Sequence, residues 1–300
     1  MPAGDRLLDD LLPRCTFPPA GSSVSCAFSG GPDSSALLVL AVRSGCSVTA
    51  IHVDHGLRAT SAAEADHAEQ IATRIGVAFE RVTVTVEPGS NLEARARAAR
   101  SAALPADVLT GHTADDQAET VVINLLRGAG ANGLAAMQPG PTKPLLGLRR
   151  TETAALCAAV GLDPVIDPSN ADSRFLRNRV RSEVLPLLSR IAERDIVPLL
   201  VRTATVLRDD DRLLEGLADG IDPTDAPAVT GADPALARRA LRRWIRAGGY
   251  PPDLATLERA MEVARGVTKA CELGGGRRLE RHRQRLQIVT DHRASSPTEQ

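Results

Sequence analysis

The chain has 300 residues, of which 43% are hydrophobic and 24% charged, with a formal net charge of −1. This balance excludes a collagen-like or coiled-coil rod and a wholly disordered tail, and it sets up no global positive field. Aromatic residues are only 2%, which argues against a surface of repeated base-stacking rings and leaves an aliphatic core.

Strand and helix patterns alternate through the first half. Residues 23–28 read as a short strand, followed by a glycine-rich turn and an apolar helix over 34–43. Residues 47–53 form the next predicted strand and 61–75 the next helix. A third strand is expected over 79–86, a helix over 91–103, a short strand over 107–110 and a helix over 114–127. This alternation predicts an α/β domain, a doubly wound and mostly parallel sheet with helices on both faces. Ligands in such folds sit beyond the carboxyl ends of the strands. Past residue 185 helices dominate, over 194–217, 234–247 and 254–265. A Pro/Asp/Gly-rich segment at 218–233 reads as a loop, and 271–289 as one small β-hairpin around Gly274, Gly275 and Gly276. The expected organisation is a catalytic domain over 1–188 and a smaller, mainly helical domain over 189–300.

The five cysteines, Cys15, Cys26, Cys46, Cys157 and Cys271, are odd in number and form no CxxC pair. They are expected to be reduced thiols of a cytoplasmic protein rather than a disulfide framework, zinc knuckle or iron–sulfur set. Residues 1–10 lack the apolar segment of a signal peptide. The apolar run at 36–42 is far too short for a membrane span, so no membrane partner is expected.

The sharpest motif is Ser29-Gly30-Gly31-Pro32-Asp33-Ser34-Ser35, placed after a strand and at the start of a helix. Glycines let a backbone approach phosphate closely, and helix-start amides and serine hydroxyls can hold its oxygens. Asp33 would repel phosphate unless a cation intervenes, so it is expected either to meet Mg²⁺ or to cap the loop. The motif is neither GxxxxGK[ST] nor GxGxxG. After the second strand come His52, Asp54, His55 and Arg58, a cluster able to handle protons and bind charge. After the short strand come His112, Thr113, Asp115, Asp116 and Glu119; Thr113 or Asp115 can cap the helix, and Asp116 and Glu119 share a face on which to meet a metal or a basic partner. Asn91, Glu93 and Arg95 open another helix, with Arg95 a better candidate than Arg97 for a role near pyrophosphate. Further on lie Lys143-Pro144-Leu145-Leu146, then Asp167-Pro168-Ser169-Asn170, then Arg177-Asn178-Arg179-Val180-Arg181. Three arginines in five residues suit triphosphate or an RNA backbone.

The first motif resembles the PP-loop of the N-type ATP pyrophosphatases, an adenine nucleotide alpha hydrolase-like fold. The set SGGPDSS, HVDHGLR, NLEARAR, GHTADDQAET, LLRGAG, KPLL, DPSN and RNRVR resembles, in this order over residues 24–188, the tRNA(Ile)-lysidine synthetase family. The resemblance implies Mg²⁺, ATP, free L-lysine and the CAU-anticodon tRNA(Ile) as cofactors and partners. It also implies adenylation of the wobble cytidine at its C2 oxygen, attack by the lysine ε-amine, release of AMP, and a change of tRNA identity from Met to Ile. By the same resemblance Ser29, Gly30, Gly31, Pro32, Asp33, Ser34 and Ser35 hold ATP. Asp54, His55, Arg58, His112, Asp115 and Asp116 line the adenylation and lysine site, and Arg177 and Arg179 contact nucleotide or RNA. Thr113 stands where many members carry a second histidine, and Ser101 where an aromatic is frequent. Asp54, Asp116, His55 and His112 all remain candidates for taking the lysine proton. The oligomeric state is left open, a homodimer included.

In the tail, Arg238, Arg242 and Arg246 recur at helical spacing beside Arg239, Arg243 and Trp244, and the hairpin carries Arg277, Arg278, Arg281, Arg283 and Arg285. Together they are expected to form an RNA-binding patch. Rival readings are a PP-loop tRNA thiolase, which needs cysteines placed to carry sulfur; a small-substrate PP-loop amidotransferase, which needs no arginine stripe; and a non-catalytic RNA-binding protein.

Overall fold

A computed structural model describes residues 3–54, 61–85, 92–165, 174–246 and 252–290. The chain divides into two compact units, Met1–Val206 and Leu207–Gln300.

In the first unit, β1 (Ser23–Ala27), β2 (Ser47–Asp54) and β3 (Ala78–Thr83) form a parallel sheet in the order β1-β2-β3. The expected fourth strand is reduced to a single parallel bridge of Leu109 with Cys26. It is held by Ala27 N–H to Leu109 O and Leu109 N–H to Ser25 O, both 2.8 Å. A turn closed by Val108 N–H on Pro105 O precedes it, and Gly111 follows, so little chain is left to extend. Leu109 lies on the edge of β1 that β2 does not use. Chain order therefore reverses at β1, which is the topological switch where open α/β sheets bind ligands.

Helix α2 (Pro32–Arg43) leaves β1 with proline at its first position, where the missing N–H costs nothing. Its Leu37, Leu38 and Leu40 are fully buried. They pack with Leu8 and Leu11 of α1 (Ala3–Leu11), Ile71 of α3 (Ser61–Ile75) and Leu156 of α7 (Arg150–Ala159). Leu145 and Leu148, after Lys143-Pro144, are also fully buried in this core. Helix α4 is Leu92–Ala103, α5 Ala114–Leu126 and α6 Ala131–Leu134.

Helix α8 (Leu176–Arg179) runs through a π-helical turn, Val180–Val184, into α9 (Leu185–Ile191). Pro186 has no N–H and its ring crowds the carbonyl one turn back, so the helix widens there. Val180, Leu185 and Val197 close a small core over Ala114, Ala118 and Val122 of α5. Residue 188, where the catalytic domain is expected to end, lies inside α9. The division falls after Val206, within α10 (Val197–Ala218).

The second unit contains α11 (Ala226–Gly231), α12 (Pro234–Arg246) and α13 (Leu254–Arg265) around Leu241, Ile245, Leu257 and Leu279. Helix α11 falls within the segment expected to be a loop; Ala226 and Val229 turn it toward the core. The expected hairpin is a three-stranded antiparallel sheet of β4 (Ala270–Gly274), β5 (Arg277–His282) and β6 (Arg285–Thr290). Its second turn, at Arg283-Gln284, lacks the glycine or asparagine that marks a tight turn, although Arg283 takes φ +56°. Among the described residues no helix is long and apolar enough to cross a membrane.

Candidate nucleotide and adenylation site

The loop after β1 leads directly into the start of α2. Gly30 takes φ +80°, and Gly31 caps α2 with its backbone alone. The Ser34 hydroxyl donates to Gly31 O at 3.0 Å and accepts from Ser29 N–H at 3.3 Å. Because that proton is committed, the Ser29 hydroxyl is the donor in the 3.2 Å contact between the two side chains. The Ser35 hydroxyl is buried and has no hydrogen-bond partner among the described residues. The positive end of a 12-residue helix therefore opens beside glycines and hydroxyls.

The loop after Leu109 presses on this one. A Cβ on Gly111 would lie 2.8 Å from the carbonyl oxygen of Asp33 and 3.1 Å from the nitrogen of Ser34. Only glycine fits without moving the phosphate loop. Gly111→Ala is expected to cost about 1–3 kcal/mol and to weaken nucleotide binding. Gly140→Ala, whose Cβ would meet nothing within 4 Å, is the control in a calorimetric titration with ATP analogue. Equal binding by the two variants would show that the loops are not coupled.

Behind the loops lies a set of interlocked carboxylates and guanidiniums. Asp116 closes a capping box on α5, accepting from Thr113 N–H at 2.8 Å and Thr113 Oγ1 at 2.9 Å. Its other oxygen accepts from Arg150 at 2.9 Å and Arg177 at 3.1 Å. Glu119, one turn on and fully buried, accepts from Arg150 at 3.0 Å, Arg177 at 2.7 Å and Arg181 at 2.7 Å. Asp115 takes the guanidinium of Arg149 on both oxygens, at 3.0 and 3.1 Å, and the N–H of Arg150 at 2.8 Å. Arg149 also pairs with Asp195. Asp33 accepts from Arg150 at 3.3 Å and from the Thr153 hydroxyl. Burial alone would raise Asp115 and Asp116, but Arg149 and the Arg150 N–H for the first, and Arg150, the Thr113 N–H and Arg177 for the second, hold both below the ordinary carboxylate range. Burial wins at Asp33, whose carboxyl is raised despite Thr153 and Arg150.

The structure thus brings together Asp33, Asp115, Asp116 and Arg177 from the expected set. Arg179 lies apart, more than half exposed and 3.5 Å from Glu183. Arg181, one turn from Arg177, shares its partner Glu119 instead. Asp54 is buried at the end of β2 and pairs with Arg81 of β3 at 2.6 Å. His52, also buried, has its Nδ1 3.0 Å from Phe28 O. His112 Nδ1 lies 2.8 Å from Thr110 Oγ1. His55, Arg58, Asn91, Asp167, Ser169 and Asn170 lie outside the described residues, as do the side chains of Glu93 and Arg97. On α4, Arg95 has buried Nε and Nη2 groups without a hydrogen-bond partner among the described residues.

Sequence reasoning missed Arg149, Arg150, Thr153, Arg81 and Asp195. The adjacent pair Arg149-Arg150, three residues past the buried Leu145-Leu146 turn, was the available signal. The metal assignment to Asp33 finds no protein cage: among the described residues no group of three or more His, Cys, Asp or Glu could hold a metal ion. The continuous basic stripe expected on α12 is interrupted by internal pairs. Arg238 meets Glu258 at 2.6 Å, Arg239 meets Asp211 and Glu215, and Arg243 meets Asp219 at 2.6 Å. Burial pushes the Cys15 and Cys26 thiols up to about 12 and Cys157 to about 11.

Comparison with known proteins places this geometry. A PP-loop domain model matches residues 8–188, and a TilS substrate binding domain model matches residues 225–287. The tRNA(Ile)-lysidine synthase of Thermobifida fusca (strain YX) is 40% identical over 302 residues, spanning 91% of this chain and 93% of that protein. The chain belongs to the tRNA(Ile)-lysidine synthase family. The Nocardia farcinica (strain IFM 10152) relative of that name is 40% identical, covering 94% of this chain and 95% of its own. The Mycolicibacterium paratuberculosis relative is 46% identical over 74% of each chain. Among solved structures, the U34-tRNA thiolase NcsA from Methanococcus maripaludis superposes with a TM-score of 0.52 at 18% identity, over 70% of this chain and 80% of that one. That likeness concerns the fold alone. The chain is an enzyme of the ligase type with a PP-loop ATP-binding domain.

Proposed function

We propose that this chain uses ATP to adenylate the C2 oxygen of the wobble cytidine of the CAU-anticodon tRNA(Ile), and then attaches lysine to make lysidine. The carrying observation is the loop after β1 at the topological switch of the sheet, pressed against the Gly111 loop that leads into Asp115 and Asp116 of α5. In the first step the cytidine oxygen attacks the α-phosphorus and pyrophosphate leaves. In the second the lysine ε-amine attacks C2, AMP leaves with its bonding electrons, and the amine proton passes to a base. The product pairs with A rather than G, which changes the tRNA from methionine to isoleucine identity.

The residues present fit ATP. The Ser35 hydroxyl, which has no hydrogen-bond partner among the described residues, is a group whose burial is costly until an acceptor or donor meets it. Mg²⁺ is read as arriving with the phosphates, with Asp33 the one carboxylate on the loop, in the manner of a cation held mainly by its substrate; it would neutralise charge on the leaving pyrophosphate. The raised thiols of Cys15, Cys26 and Cys157 stay protonated and weakly nucleophilic at neutral pH, which disfavours the thiolase reading. In the cytoplasm the partners are the tRNA and free L-lysine. Arg242 and Arg246, for which no ion pair is found among the described residues, support contact of the second unit with RNA.

Among the described residues His112 is the base we favour. Thr110 donates its hydroxyl proton to Thr142 O at 3.0 Å, so it accepts from His112 Nδ1–H. The neutral ring then carries its basic lone pair on Nε2. Asp54 and Asp116 are committed to arginines. His112→Gln is expected to keep tRNA-dependent ATP–pyrophosphate exchange and to slow lysine incorporation by about 10²–10⁴. Unchanged incorporation would remove the role. The activity itself is tested by exchange with and without tRNA, followed by labelled lysine. Exchange with no lysine in any CAU-anticodon tRNA would reject the proposal.

A further inference from the structure

Arg150 spends each nitrogen on a different carboxylate. Nη2 meets Asp116 at 2.9 Å, Nη1 meets Glu119 at 3.0 Å and Nε meets Asp33 at 3.3 Å. The two shorter contacts anchor the guanidinium to α5, whereas the longest reaches the phosphate loop. Its backbone is fixed as well, because it opens α7 and its N–H is taken by Asp115. The charge therefore stays in place whether or not Asp33 moves. Asp33 needs that charge. It stands in the first turn of α2, three-quarters covered, on the loop where a polyanion is to bind. An uncompensated carboxylate there would repel every phosphate oxygen.

We propose that Arg150 is a positioning residue for the nucleotide: a fixed cation, held by Asp116 and Glu119, that offsets Asp33 so that the phosphate loop accepts a triphosphate. Arg149 has no such role, since its guanidinium serves Asp115 and Asp195 and does not touch the loop. The inference rests on the reading that this loop seats ATP. It adds a residue outside the loop through which that binding works.

The test is a calorimetric titration of the full chain with α,β-methylene-ATP at fixed Mg²⁺, without tRNA or lysine. Arg150→Gln is expected to weaken binding about tenfold or more, and Arg150→Lys to stay within about threefold of the native chain. In an Asp33→Asn background, Arg150→Gln is expected to cost less than about twofold, because the charge it offsets is gone. Native affinity in Arg150→Gln overturns the proposal, as does an equal loss in both backgrounds or a lysine variant as weak as the glutamine one. Thermal melting accompanies each titration, and Arg150→Met serves as a second charge-free variant. Unfolding of both charge-free variants would make Arg150 a structural residue and also overturn it. A native chain that fails to bind the analogue defeats the functional reading instead. A native chain that binds, beside an Arg150→Gln variant that binds equally, defeats this proposal alone.

Discussion

Glu119→Gln is expected to destabilise the first unit by about 3–5 kcal/mol, the cost of removing one partner from a buried ion pair. Domains of this kind have about 5–15 kcal/mol in all, so the loss should show as a large fall in the urea midpoint. The size follows from geometry. Glu119 is fully buried and receives Arg150, Arg177 and Arg181 at 3.0, 2.7 and 2.7 Å. An amide accepts one or two of these bonds more weakly and cancels none of the charge. Three guanidiniums would be left with Asp116 and Asp33, and the Arg177–Arg181 segment would lose its main tie to α5. Adding Arg181→Met to Glu119→Gln should restore part of the stability, since it removes a stranded cation. A loss below about 1 kcal/mol would mean that solvent screens the cluster as it screens surface pairs.

The second large effect is expected at Asp33. Asp33→Ala and Asp33→Asn should each reduce ATP–pyrophosphate exchange and lysine incorporation by about 10²–10⁴ while the melting temperature changes little. Stability is spared because Arg150 keeps Asp116 and Glu119, and the Thr153 hydroxyl, losing Asp33, turns its one proton to Arg150 O at 2.8 Å. Activity is not spared, because Asp33 is the carboxylate within the phosphate loop itself. The asparagine variant should still bind nucleotide, so that binding and turnover separate. Normal turnover in either purified variant would show that the loop needs no carboxylate there.

The first unit could be read from sequence because its signals are local. Glycine, proline and serine punctuate the turn after β1, and β2 follows with its alternating, β-branched run. The segment at 107–110 was over-read: its composition suits a strand, but Pro105 before and Gly111 after leave room for one bridge. Helix α11 and the third strand of the second unit were missed because tertiary packing of Ala226, Val229 and Leu286 decides them, not turn chemistry. Motif reading found both sides of the Glu119 pairs with Arg177 and Arg181, but only the acidic side of the pairs with Arg149 and Arg150. Asp115, Asp116 and Glu119 sit together on α5, whereas Arg149 and Arg150 reach them from more than 30 positions away in the chain. Spacing rules describe one helix or one strand and say nothing of such partners. Part of the charge of the tail arginines is taken up internally for the same reason, since Asp211 and Glu215 of α10 and Asp219 just past it lie before α11, well ahead of the helix they pair with.

The shared hold of Arg150, Arg177 and Arg181 on one buried glutamate also has an evolutionary consequence. Counted with Asp33 and Asp116, the three guanidiniums meet three carboxylates, so no member of that quartet can be neutralised by itself without leaving an uneven charge in a largely buried place. Drift at these four positions should therefore proceed in compensated steps, a lost arginine accompanied by a lost acid. Lineages that abandon the arrangement should have replaced it wholesale with apolar side chains.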